Sequence, residues 1–114
     1  MTIYALSSGS GTSGIATIRI SGKLAKNVVE TITGTKIPRP RVATLKKINN
    51  INTNELIDEG IIIWFPGPKS YTGEDMAEFH VHGSRAVIEA IHTSISKIEN
   101  CRLAEPGEFT KIAF

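Results

Sequence analysis

Only one cysteine, Cys101, occurs among the 114 residues. No intramolecular disulfide can form, and a reducing, cytoplasmic setting is the expected one. No stretch approaches the roughly 20 consecutive apolar residues that a membrane-spanning helix needs. The first residues, Met1 to Ser7, lack both the basic start and the apolar run of a secretory signal. Charge of one sign is also missing: the net charge is +2, which draws no polyanion strongly. The basic residues gather only at Arg39, Arg41, Lys46 and Lys47, and they read as a solvated surface rather than a nucleic-acid stripe. No G-x-x-x-x-G-K-[ST] run occurs, so these residues cannot cradle a nucleoside triphosphate in the P-loop manner. There is no internal repeat and no low-complexity tract.

What remains is enough for one modest core, with 40% apolar and 21% charged residues. Ile3 to Leu6 reads as a strand, Ser7 to Gly14 as a loop, and Ile15 to Ile20 as a β-branched second strand. Ser21 is a candidate cap for a helix carrying Leu24, Val28, Val29 and Ile32, which Gly34 ends. Val42 to Ile48 and Leu56 to Phe65 predict a strand pair around a polar turn at residues 49–54. The run Gly60 to Phe65 is apolar on both faces, which predicts a central, fully covered strand. Ala77 to His82 predicts another strand. A helix follows Ser84, with Val87, Ile88, Ile91, Ile95 and Ile98 as its buried stripe. Arg102 to Ala104 reads as a short strand, and Pro106 opens a last helix. The order ββαββ(β)αβα predicts an α+β domain, a mixed sheet with about three helices packed on it. The last helix runs into apolar Ile112, Ala113 and Phe114, which reads as a cut through an element of a longer protein.

Four groups of residues invite a chemical reading. Gly9 to Gly14 matches G-x-G-x-x-G, but a dinucleotide loop must lead into a helix, and here a strand follows. A glycine-rich hairpin loop is the better account. Glu78, His80 and His82 alternate along one strand and share a face. They are metal-ligand types, yet same-face neighbours on a strand lie ~7 Å apart, so one straight strand cannot bring all three to one ion. A small metal-dependent enzyme using His80, His82 and Glu78 would need a ligand from elsewhere. The duller reading is a polar sheet face near solvent. The third reading is an organic ligand gripped by Glu78, because a carboxylate accepts the adjacent amino and ring N–H donors of a pterin or guanine edge as a bidentate pair. Arg19 interrupts an apolar strand and can hold a carboxylate or carbonyl of the same ligand; a plain solvent-facing arginine is the alternative. That third reading requires the Glu78 carboxylate to stand on the open side of the sheet, neither locked in an internal ion pair nor turned to the apolar layer. Cys101 has no base beside it and reads as structural. His92 reads as a surface residue on the polar side of its helix.

The segments Gly14 to Gly22, Trp64 to Asp75, Glu78 to Gly83 and Ala104 to Thr110 together carry a resemblance. In order and spacing they resemble the N-terminal domain of the tRNA-modification GTPases called MnmE or TrmE, over essentially the whole chain. The resemblance implies that residues 1–114 are a single folate-binding and dimerising domain, similar to the folate-binding part of the glycine-cleavage T protein. It implies a one-carbon tetrahydrofolate, in the 5-formyl or methylene form, contacted by Arg19 and Glu78. It further implies partnership with the flavoprotein MnmG (GidA) in modifying the wobble uridine of tRNA. A ligand-contacting lysine, the helical domain, the GTPase domain with its GTP, magnesium and potassium, and a C-terminal cysteine motif would all lie after Phe114. On that reading these residues are not catalytic alone.

Overall fold

The computed structural model describes residues 1–7 and 14–113. The loop reading for residues 7–14 falls mostly outside the described residues. In chain order the elements are β1 (Thr2–Leu6), β2 (Ile15–Ser21), α1 (Ala25–Thr33), β3 (Thr44–Asn49), β4 (Leu56–Phe65), β5 (Met76–His82), α2 (Arg85–Ser96), β6 (Cys101–Leu103) and α3 (Glu108–Ala113). The strands form one six-stranded sheet in the order β3-β4-β5-β2-β1-β6. Neighbours are antiparallel except β1 and β6, which run parallel. The sheet is therefore mixed, and the fold is α+β as the pattern predicts.

One face of the sheet makes the core. Alternation along the strands sends Ala16, Ile18 and Ile20 of β2, Ala77, Phe79 and Val81 of β5, and Ile62 and Trp64 of β4 to the same side. There they pack with Val28, Val29 and Ile32 of α1 and with Ile91 and Ile95 of α2. The helical spacing of those residues puts one apolar stripe of each helix on the sheet.

Two expectations are corrected here. β4 is not covered on both faces. Its burial alternates, with Gly60, Ile62 and Trp64 buried and Ile61, Ile63 and Phe65 only partly so. The apolar run has a second cause: the outer face of this strand carries apolar residues that no helix covers. Ser21 does not cap α1. It ends β2, buried, and its Oγ meets Thr72 Oγ1 at 2.7 Å. The turn before α1 is tied down from far away in sequence, where Thr2 Oγ1 accepts the Leu24 N–H at 2.9 Å. Ser84 does cap α2, accepting the Val87 N–H at 3.1 Å, and Gly34 closes α1 in the left-handed conformation.

The outer face is partly roofed by the 66–75 segment. Gly67 donates its N–H to Asp75 Oδ1 at 2.8 Å, and Gly22 donates to Asp75 O at 3.0 Å. A Cβ on Gly67 would come within 3.0 Å of Gly73 O and Glu74 C, so glycine lets the two ends of the segment close on each other. Ile3, Ser21 and Met76 are buried on this face, at the end where the segment is bonded. The described residues leave the other end open. Among the described residues, no helix is long and apolar enough to cross a membrane.

Candidate functional site

Arg19 and Glu78 are strand partners. The β2–β5 register sets them directly opposite each other, and both lie on the face away from the helices. Arg19 Nε donates to Glu78 Oε2 at 3.0 Å. His80, two residues along β5 on the same face, approaches the other oxygen, with Nε2 3.0 Å from Oε1. Behind it Thr17 Oγ1 lies 3.5 Å from His80 Nδ1. On the far side of Arg19, the guanidinium carbon sits 5.4 Å from the centre of the Tyr71 ring, within the range of cation–π attraction. Thr17, His80, Glu78, Arg19 and Tyr71 thus form one continuous chain of contacts.

The carboxylate is therefore not the unoccupied grip the sequence suggests. It stands on the open side of the sheet, as that reading requires, but against the other half of the requirement it is ion-paired with Arg19 and engaged at both oxygens. It is also not sealed inside: the side chains of Glu78 and Arg19 are 17% and 34% exposed. An ionised carboxylate offers about four lone-pair positions, and the two protein donors take one on each oxygen.

Beside Arg19 lies a cavity of about 560 Å³. Arg19, Tyr71, His92, Leu103, Pro106 and Phe109 are among its walls; Glu78 is not. One wall is the 103–110 segment, held by Glu108. That carboxylate receives Arg102 Nη1 at 2.8 Å and the Glu105 N–H at 2.9 Å. The Arg102 bond, the Glu105 N–H and the positive charge of Arg102 hold the Glu108 carboxyl down to about 2. The turn Ala104 to Gly107 is shaped by this clamp, and the last helix starts at Glu108, two residues later than Pro106 suggests.

His92 is not a surface residue. Its Nε2 is sealed from solvent with no hydrogen-bond partner among the described residues. Its ring stands edge-on to Tyr4, with centroids 5.3 Å apart. Burial holds its pKa below the ordinary value. Helical phase alone sends it to the polar side of α2, but Tyr4 of β1 packs against it there. His82 belongs elsewhere: its backbone N–H and its Nδ1 both reach Asp58, at 2.9 and 2.8 Å. Burial alone raises the Asp58 carboxyl, but the bonds from His82 outweigh it and leave it lowered. Among the described residues no three His, Cys, Asp or Glu side chains converge as a metal ion requires. Cys101 is half-buried against the core, and burial pushes its thiol up, in keeping with a structural residue.

Sequence reasoning missed Tyr71, Thr17 and the role of His80. The first had a signal: Tyr71 is the lone aromatic of a polar loop, placed between Gly67 and Gly73. His80 had one as well, its alternation with Glu78 on one strand face, although that spacing does not disclose the bond to the carboxylate. Thr17 had none, because its part depends on the β2–β5 register.

A family-wide sequence model described as "GTP-binding protein TrmE N-terminus" matches residues 2–114. The chain is 72% identical over its whole length to a tRNA modification GTPase MnmE of Pelagibacter ubique, of which it covers 26%. It is 50% identical over 99% of its length to a tRNA modification GTPase MnmE of Brucella anthropi, covering 25% of that protein. It is 47% identical over 99% of its length to the mitochondrial 5-taurinomethyluridine-[tRNA] synthase subunit GTPB3 of Danio rerio, covering 22%. The chain thus spans about a quarter of the length of these curated relatives. It belongs to the TrmE N-terminal domain family.

Proposed function

We propose that this chain binds a one-carbon tetrahydrofolate, in the 5-formyl or methylene form, and pairs with a second copy of itself. It would do so as the N-terminal part of a cytoplasmic GTPase that, with the flavoprotein MnmG (GidA), modifies the wobble uridine of tRNA. GTP, magnesium and potassium would be handled by a separate GTPase domain. One observation carries the reading: Arg19 and Glu78 meet across β2 and β5 on the open face, and Arg19 also forms a wall of the adjoining cavity.

The cavity volume suits a small organic ligand. The paired N–H donors of a pterin would meet the lone pairs of Glu78 that Arg19 and His80 leave unused. The cavity would take the rest of the molecule, with Tyr71 and Phe109 as flat apolar walls. The Arg19–Glu78 pair narrows this reading, since the ligand must approach beside Arg19 without displacing it. Calorimetric titration of the chain with 5-formyltetrahydrofolate tests it. Saturable binding that is lost in Arg19→Ala is expected, and an absence of binding by the parent chain would refute the folate reading.

A second reading, assembly without folate, is favoured by the uncovered end of the same face. Ile15 is 65% exposed and Leu45 60%, and both flank half-buried Ile61 there. Sedimentation showing a dimer in a chain that binds no folate would favour it.

A further inference from the structure

The reading of Glu78 as the ligand grip leaves His80 unexplained. A carboxylate torsion is soft, and a side chain held at one oxygen only can swing its plane through a wide arc. Arg19 fixes one oxygen from the neighbouring strand, and His80 fixes the other from two residues along β5. An ionised carboxylate can only accept, so the His80 contact is made by an Nε2–H donor. Thr17 Oγ1, near Nδ1, stands behind the imidazole and restrains its rotation.

We propose that His80 is a positioning residue of the ligand site. It holds the plane of the Glu78 carboxylate so that one lone pair on each oxygen stays directed at a ligand bearing two adjacent N–H donors. This role rests on the folate reading above and adds to it the group that sets the geometry of the grip. Both members of the pair are partly exposed, His80 at 31% and Glu78 at 17%. A contact of that kind contributes little to fold stability, so its effect belongs to orientation. His80 touches no ligand in this account. Its donor can be replaced by another of similar reach, and a glutamine amide supplies one.

The test pairs binding with spectroscopy on the 114-residue chain. Affinity for 5-formyltetrahydrofolate is measured by calorimetry for the parent chain, His80→Ala and His80→Gln, with thermal midpoints recorded alongside. Expected are a loss of about tenfold in His80→Ala, recovery to within about threefold in His80→Gln, and nearly equal midpoints. The imidazole nitrogen shifts of His80 should show Nε2 protonated in the free chain and still protonated when ligand is bound. Equal affinity in His80→Ala, or an Nε2 that carries no proton, overturns the role while leaving the folate reading in place. Loss of binding in His80→Gln as severe as in His80→Ala also overturns it. If the parent chain binds no folate, the reading itself fails and takes this role with it.

Discussion

At the scale of single residues, burial separates His92 from the other two histidines. His82 keeps most of its ring in solvent and His80 a third of it, whereas His92 hides Nε2 entirely. A buried base with a lowered pKa favours the neutral form in the folded state. The unfolded chain takes up a proton near pH 6.5 that the folded chain refuses. Stability is therefore full above that pH and falls as the pH drops below it, until the folded pKa is also passed. The urea midpoint should decline between about pH 7 and pH 5, and His92→Phe should flatten that decline. An unchanged slope in the variant would show that His92 is not the group responsible. Asp58, with its lowered carboxyl, contributes a separate loss that begins only below about pH 4.

At the scale of elements, β4 and β5 must lie close for β5 to hold Glu78 and His80 in register with β2. Gly60 makes that approach possible, since a Cβ there would stand 2.5 Å from His80 O. Gly60→Ala should cost about 1–3 kcal/mol, as overpacking does, seen as a lower denaturation midpoint with the sheet signature retained. A neutral substitution would mean the strands can part without strain. The elements themselves were largely legible in the sequence, because period-two and period-3.6 patterns are local. Ile18 and Phe79, or Ile91 and Ile95, declare their faces without help from the rest of the chain. What the sequence could not disclose was pairing. It showed Arg19 and Glu78 as two candidates but not as partners across one rung, and it left the carboxylate free where two donors hold it. Ser21 was misread for the same reason: its hydroxyl is bonded to Thr72, fifty-one positions away. His92 and the outer face of β4 depend on which elements pack against each layer, which no local pattern records.

At the scale of the whole molecule, the sheet is asymmetric. Helices close one face, the 66–75 segment roofs part of the other, and the end bearing Ile15, Leu45 and Ile61 is left uncovered by the described residues. Pairing of two copies over that end would bury the exposed apolar residues and leave the cavity beside Arg19 facing outward. The edge strand β3 is guarded by Lys46 and Lys47, which disfavours simple edge-to-edge extension of the sheet. Leu45→Lys should thus shift the sedimentation equilibrium toward monomer while leaving folate affinity within about threefold. An unshifted equilibrium would place the self-association surface elsewhere.

The central claim is that the Glu78 carboxylate, steadied from both sides, accepts the paired donors of a folate ring. Calorimetry of Glu78→Ala with 5-formyltetrahydrofolate addresses it most directly. Removing a charge-assisted pair should weaken binding by about 2 kcal/mol or more, roughly thirtyfold. An affinity equal to that of the parent chain would contradict the account.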